Sequence, residues 1–156
     1  MKICNLLNSK NVLPHLKAEN KDEVIAKLIE TLSGKVENSV IENVREAVFE
    51  RENIMSTGVG KGLAIPHGKA KGLSNNYAAF ALLDEPVPYE AIDGMPVKMV
   101  FLLVGPETHN STHIKMLSRI SRLMNNAEFR EQLQQCETPE DIIDAFKAEE
   151  EQYFDL

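Results

Sequence analysis

The sequence predicts a single α/β domain in which helices flank a small, mixed β-sheet. Helical patterns occupy the first and last thirds of the 156-residue chain, and two apolar, strand-like segments lie between them. The chain has no internal repeat and no low-complexity linker. We therefore expect one domain over residues 1–150, followed by an acidic C-terminal tail at 151–156.

The first third predicts two helices that pack together as a hairpin. The first spans residues 21–33, with Asn20 as its N-cap. The second begins at about residue 40, with Ser39 as its N-cap. Apolar residues recur at helical spacing in both segments, so each should bury one face. The predicted buried stripe of the second helix consists of Val40, Val44, Ala47 and Val48.

The middle of the chain changes from helical to irregular and then to extended. Residues 55–68 contain four glycines and a proline, and cannot form a regular helix. Buried strands are predicted at 77–83 and 97–104, the first ended by Pro86 and Pro88 and the second by Gly105 and Pro106. These two strands should form the centre of the sheet.

The last third predicts three helices. One spans 111–125, a short one continues through Phe129 and Leu133, and a third begins at Thr138 with Pro139 in its first turn. The acidic end from Glu149 onward is expected to be solvated or frayed. The side chains predicted to face the core are Ile114, Leu117, Ile120, Leu123, Met124, Ile142, Ile143 and Phe146.

Composition excludes several classes of function. A formal charge of −7 argues against nucleic acid as a main partner, because binding phosphate backbones requires a basic surface. No run of 18 apolar residues exists and the N-terminus lacks the apolar core of a signal peptide, so we expect no membrane insertion and a cytoplasmic location. Cys4 and Cys136 match no metal or redox spacing and should be reduced thiols.

His67 is the residue with the strongest chemical character. A glycine-rich loop brings backbone N–H groups close to an anion, and neutral imidazole is a nucleophile near neutral pH. The pattern favours a phosphoryl acceptor, whereas the alternative is an ordinary loop histidine bonded to a turn. The glycines do not follow the order of a nucleotide-binding loop. The loop residues expected to contact the phosphoryl group are Ser56, Thr57, Gly58, Gly60 and Gly68.

Further candidates lie at the start and end of predicted helices. His113 lies in the first turn after a strand, where a helix N-terminus favours an anion and a neutral imidazole could donate to a phosphoryl oxygen. Together with His109 it has the spacing of two metal ligands, but no third ligand is near; both could also be surface residues. The guanidinium of Arg51 matches the geometry and charge of a phosphoryl group, although an arginine at a helix end is usually solvated. No pattern of a serine or cysteine nucleophile is present.

The order E-R-E-x-x-x-S-T-G-V-G-x-G-L-A-I-P-H-G over residues 50–68 resembles a known signature. It is similar to that of the fructose/mannitol-type (type 2) enzyme IIA domain of the phosphoenolpyruvate-dependent phosphotransferase system, which includes a nitrogen-regulatory branch. The resemblance continues through the A-I-D-G turn at 91–94 and the T-P-E-D segment at 138–141, and covers essentially the whole chain. Leu63 replaces a frequent isoleucine, and His109 has no counterpart.

The resemblance implies a mixed sheet flanked by helices and a phosphotransferase component with a phosphohistidine intermediate. HPr, or an HPr-like protein, would transfer a phosphoryl group to His67. The second histidine of the family falls on His113, and its arginine on Arg51, both as supports for the phosphoryl group. No cofactor and no metal are implied.

Two roles use this site in the family. In the regulatory role, phosphorylation of His67 tunes binding to target proteins. In the alternative, sugar transport, the phosphoryl group passes to a IIB domain. The free-standing chain and the stretch around Tyr89 and Asp93 favour the regulatory role, but the site supports both.

Overall fold

The computed structural model describes residues 2–154 and has eleven main elements after a 3₁₀ turn at Ile3–Leu6. The helices are α1 (Lys21–Glu30), α2 (Asn38–Ile54), α3 (Asn110–Met124), α4 (Ala127–Gln134) and α5 (Pro139–Phe154). The strands are β1 (Val12–Leu16), β2 (Gly58–Gly60), β3 (Leu63–Ala64), β4 (His67–Ala70), β5 (Tyr77–Val87) and β6 (Val97–Pro106).

The strands form one six-stranded mixed sheet, which confirms the predicted fold class. The main order is β1-β5-β6-β3-β2. Strand β6 is the centre: it pairs antiparallel with β5, and its other edge pairs in parallel first with β3 and then with β4. The two predicted strands are therefore the long central pair, and the glycine-rich segment supplies the short strands beside them.

Helices cover both faces of the sheet because β5 and β6 are apolar on both sides. On one face Phe80 and Phe101 pack with Phe129 and Phe146 against α3, α4 and α5, with ring centroids 5.1–5.9 Å apart. On the other face a second apolar cluster packs against α1 and α2, which lie side by side as predicted. The sheet is the middle of three layers.

The predicted helices are confirmed with two differences at their ends. Asn20 caps α1 as expected, since its Oδ1 accepts from the backbone N–H of Glu23 at 2.9 Å. However, α1 ends at Glu30, residues 31 and 32 form a turn, and Ser33 forms an isolated β-bridge with Val36. The prediction that Ser39 caps α2 is wrong. The helix begins at Asn38, after an extended Glu37 whose side chain makes no capping bond.

The predicted strand ends are too early. Strand β5 continues through Pro86 to Val87, and β6 continues through Gly105 to Pro106. Proline is tolerated in β5 because the pairing with β6 is irregular between Leu82 and Val87. Pro106 is the last residue of β6 and lies opposite Ala70 of β4.

The prediction of a solvated acidic end is wrong for its first two residues. Helix α5 continues to Phe154, and Glu149 and Glu150 are buried. The Glu150 carboxylate accepts from the backbone N–H groups of Ile3 at 2.7 Å and Cys4 at 2.6 Å, and Arg119 Nε lies 2.9 Å from it. Residues 151–153 are exposed, Phe154 ends the helix, and residues 155–156 of the predicted tail lie outside the described residues.

Cys4 and Cys136 are free thiols, as predicted. Within residues 2–154, no helix has the length and apolarity needed to cross a membrane.

Candidate functional site

His67 begins β4, where the sequence predicted only a loop. It pairs with Leu103 of β6, so both side chains lie on the face of the sheet that α3 covers. The ring nitrogen Nδ1 is 2.9 Å from the backbone oxygen of Ile65. A carbonyl oxygen can only accept, so Nδ1 carries the hydrogen of the neutral imidazole and Nε2 keeps a lone pair. The nucleophilic nitrogen is therefore the one remote from the backbone.

The surroundings of His67 favour its neutral form. Burial lowers the pKa of His67, and the positive charge of Arg51 lowers it further. The hydrogen bond to Ile65 and the charge of Glu52 raise the pKa, but the net direction is down. An imidazole held neutral near pH 7 is available as a nucleophile.

His113 lies beside His67, as the resemblance implied. It is in the first turn of α3, is 95% buried, and its ring centroid is 5.8 Å from that of His67. Burial, with the charges of His67 and Lys69, lowers the pKa of His113 to about 4. His113 is thus a neutral imidazole that can donate only one N–H, from whichever nitrogen carries the hydrogen.

Arg51 lies in the last turn of α2 and lines the same cleft as His67. Its Nη1 donates to the backbone oxygen of Met55 at 2.9 Å, which holds the guanidinium at the end of the helix. The remaining N–H groups of the guanidinium fork can serve an anion at His67.

The loop hydroxyls have protein partners. Ser56 Oγ donates to the backbone oxygen of Tyr89 at 2.7 Å and accepts from the N–H of Gly58 at 3.1 Å. The Thr57 hydroxyl bonds to Glu52, and its backbone N–H donates to Glu52 at 2.7 Å. Both residues hold the shape of the chain that leads to His67.

Glu52 and Tyr89 are site-supporting residues that sequence reasoning missed. Glu52 is buried and accepts from Thr57 and, at 3.2 Å, from the Tyr89 hydroxyl, while Lys21 lies 3.5 Å away. Burial and the charge of Glu52 raise the pKa of Tyr89. No local signal marks this cluster, because Glu52 resembles any charge at a helix end and Tyr89 is 37 residues away.

The structure favours glycine at three positions of the predicted loop, for different reasons. A Cβ at Gly58 would lie 2.8 Å from the backbone of Ala91, and one at Gly68 would lie 3.1 Å from the backbone nitrogen of Val48 in α2. Gly60 adopts φ +94°, which favours glycine in the β2–β3 turn. Close packing and a tight turn therefore explain all three positions.

His109 and His15 lie apart from this chemistry. His109 is the exposed residue before α3, and its side chain makes no capping bond. His15, on β1, contacts Asp84 at 3.3 Å. Among the residues that the structure describes, no group of three or more His, Cys, Asp or Glu side chains is placed to hold a metal ion.

Two cavities meet at His67. The larger, of about 700 Å³, is lined by Arg51, residues 55–59 and Ile92, and the smaller, of about 420 Å³, includes His113 and Ile114. The prediction that Ile114 faces the core is wrong: it is 62% exposed at the mouth of the smaller cavity. The site combines two imidazoles that favour the neutral form with a guanidinium, at an open, apolar-rimmed surface.

The sequence profile of one protein family, described as "Phosphoenolpyruvate-dependent sugar phosphotransferase system, EIIA 2", matches residues 5–149. The chain belongs to this enzyme IIA family. The match covers His67, His113 and Arg51, and confirms the resemblance expected from the signature at 50–68.

Relatives of this enzyme IIA chain include nitrogen regulatory proteins and components of sugar phosphotransferase systems. The nitrogen regulatory protein of Bradyrhizobium diazoefficiens is 39% identical over 137 residues, which cover 85% of this chain and 86% of that protein. The fructose-specific EIIABC component of Bacillus subtilis is 36% identical over 146 residues and 92% of this chain, but the chain spans only 23% of that protein. The crystal structure of the nitrogen regulatory protein IIA-Ntr from Neisseria meningitidis has a TM-score of 0.86 at 29% identity, covering 92% of this chain and 98% of that one.

Proposed function

We propose that this chain is a phosphocarrier that accepts a phosphoryl group on Nε2 of His67 from HPr or an HPr-like protein. The hydrogen bond between His67 Nδ1 and the Ile65 oxygen carries the proposal, because it leaves Nε2 as the nucleophilic nitrogen. The lowered pKa of His67 and the membership of the enzyme IIA family support it.

The transfer is an in-line displacement. His67 Nε2 forms a bond to phosphorus while the nitrogen–phosphorus bond of the donor phosphohistidine breaks, and the donor imidazole leaves with the electron pair. Such a transfer depends mainly on positioning and on stabilising the charge of the phosphoryl oxygens. Arg51 supplies a cation, and His113 supplies an N–H donor.

Five loop residues take a narrower role in this proposal than direct phosphoryl contact. Protein partners occupy the hydroxyls of Ser56 and Thr57, and the N–H of Gly58 donates to Ser56. We assign these three residues, together with Gly60 and Gly68, to building the loop that presents His67.

A protein donor fits the surface around His67. Large apolar side chains with more than half of their surface exposed lie beside the guanidinium and the imidazole, a combination typical of protein contact sites. The rim consists of Ile54, Met55, Ile92 and Ile114.

The regulatory role is our first choice, with targets whose binding depends on the phosphorylation of His67. The relative from Bradyrhizobium diazoefficiens, 39% identical over 137 residues, bears the name nitrogen regulatory protein. The second candidate is transport, with transfer from His67 to a IIB domain, and the fructose-specific relative from Bacillus subtilis favours it. A cytoplasmic location fits both roles.

Phosphorylation with a radioactive label tests whether His67 is the acceptor. The protein is incubated with radiolabelled phosphoenolpyruvate, enzyme I and HPr, and the rate of labelling is measured for the parent, His67→Ala and His15→Ala. We expect the parent and His15→Ala to be labelled equally, and His67→Ala not at all. Labelling of His67→Ala at the parent rate would contradict the proposal.

A second assay distinguishes the two roles. Labelled protein is mixed with a IIB domain from a fructose-type transporter, and the label on each protein is followed with time. The regulatory role predicts that the label stays on His67. Rapid transfer to the IIB domain would reject a purely regulatory role and favour transport.

A further inference from the structure

Asn76 and His113 share a small space that Gly105 leaves open. Tyr77 pairs with Val104, so the preceding Asn76 lies opposite Gly105 at the end of the β5–β6 ladder. A Cβ built on Gly105 would be 2.3 Å from Asn76 Oδ1 and 3.6 Å from His113 Nδ1. Asn76 Oδ1 and His113 Nδ1 therefore both border the space that a side chain at position 105 would occupy.

Both atoms that face this space need a partner. Asn76 Oδ1 and His113 Nδ1 are buried, and neither has a hydrogen-bond partner in the part of the chain that the structure describes. A buried polar atom without a partner costs about 1–3 kcal/mol, and both atoms lie near the position of a Gly105 side chain. Pairing them removes both penalties at once.

The pairing can occur in two ways, with opposite consequences for His113. With the amide oxygen inward, His113 holds its hydrogen on Nδ1, and Nε2 is a bare acceptor. With the amide turned over, Asn76 Nδ2 donates to Nδ1, and the hydrogen of His113 lies on Nε2. Oxygen and nitrogen of an amide have nearly the same shape, so either end of the Asn76 side chain can occupy this space.

We propose that Asn76 is a positioning residue whose side-chain amide donates to His113 Nδ1, and so fixes the hydrogen of His113 on Nε2. This inference rests on the proposed function. Nε2 lies on the edge of the ring away from Gly105, so only a hydrogen on Nε2 can be donated to phosphoryl oxygens on His67. The reversed pairing would turn a lone pair toward those oxygens and repel them. Gly105 is part of this arrangement because a larger residue at position 105 would displace the Asn76 amide.

The position of the hydrogen on His113 is measured directly by ¹⁵N NMR of the unphosphorylated protein, with assignment through a His113→Gln variant. We expect the parent to carry it on Nε2. In Asn76→Asp the carboxylate can only accept, so the hydrogen moves to Nδ1. The matched control is Asn75→Asp, which makes the same charge change at an exposed neighbouring position and should leave His113 unchanged.

The rate of His67 labelling supplies the second readout. At pH about 8.5, where a histidine beside a carboxylate is still largely neutral, Asn76→Asp should be labelled about ten- to a hundredfold more slowly than the parent. The deficit should shrink as the pH falls, because a protonated His113 donates from both nitrogens. Asn75→Asp should match the parent throughout.

Three results would overturn the role of Asn76: a hydrogen on Nδ1 in the parent, an unchanged hydrogen position in Asn76→Asp, or a changed position with parental labelling. Failure of the proposed function has a different signature, namely no labelling of His67 in the parent. The NMR comparison needs no phosphorylation, so it decides the placement of the amide even then.

Discussion

Replacement of Glu52 tests whether the buried cluster beneath the loop stabilises the fold. Its carboxylate accepts from the Thr57 backbone N–H, the Thr57 hydroxyl and the Tyr89 hydroxyl, all buried, and also faces Lys21. In Glu52→Ala the two hydroxyls, which are 3.2 Å apart, can bond to each other, so two donors remain without acceptors. At about 1–3 kcal/mol for each, the free energy of unfolding should fall by about 4 kcal/mol.

Glu52→Gln should be much milder. The amide oxygen can still accept from the Thr57 N–H, and the amide nitrogen can donate to a hydroxyl oxygen. What is lost is the pairing with Lys21, whose side chain is 20% exposed, so we expect a loss of about 1 kcal/mol. For a chain of this size each kcal/mol corresponds to about 2–4 °C in Tm.

Urea unfolding followed by circular dichroism measures both changes. Glu50→Ala, at an exposed position in the same turn of α2, is the matched control and should stay within about 0.5 kcal/mol of the parent. A loss below 1 kcal/mol for Glu52→Ala, or equal losses for Ala and Gln, would refute the reasoning.

Three further predictions concern stability. The free energy of unfolding of the parent should fall as the pH falls from 6.5 to about 4, because over that range His113 takes up a proton in the unfolded chain but not in the folded chain. Urea unfolding at several pH values should show a smaller loss in His113→Gln. Gly68→Ala should cost about 1–3 kcal/mol by forcing β4 away from α2 at Val48, and an unchanged unfolding midpoint would contradict that contact. Glu150→Gln should cost about 3 kcal/mol, because one N–H at the 3₁₀ turn loses its acceptor; an unfolding curve identical to that of the parent would contradict it.

Local patterns predicted the elements well where the relevant forces are local. Asn20 caps α1 because its side chain bonds within one turn, and the apolar runs of β5 and β6 become the central pair because burial on both faces demands them. Ser39 failed as a cap because several polar residues near a helix start compete, and the geometry of the preceding turn decides between them.

Contacts between distant parts of the chain could not be predicted from those patterns. Glu150 is buried because α5 brings it to the backbone of Ile3 and Cys4, about 146 residues away. An acidic run at a chain end is solvated unless such donors meet it. For the same reason, local patterns do not predict the contacts of Glu52 with Thr57 and Tyr89, or the approach of Asn76 to Gly105.

The candidate site was predicted in two stages. Glycines and a proline marked His67 as reactive, but left an ordinary loop histidine as the alternative, and the resemblance selected His113 and Arg51 from other plausible residues. The structure places all three around one cleft and adds the hydrogen bond that distinguishes the two nitrogens of His67. The packing partners of the glycines, such as Ala91 and Val48, lie far from them in the sequence, so local patterns cannot predict these contacts.

The most direct test is the site of the phosphoryl group itself. The protein is phosphorylated with phosphoenolpyruvate, enzyme I and HPr, and the ring nitrogens of His67 are assigned by ¹H–¹⁵N correlation NMR. We predict a phosphoryl group on Nε2 of His67, with the hydrogen on Nδ1 still bonded to the Ile65 oxygen. A phosphoryl group on Nδ1 of His67, or on any other residue, would contradict the account.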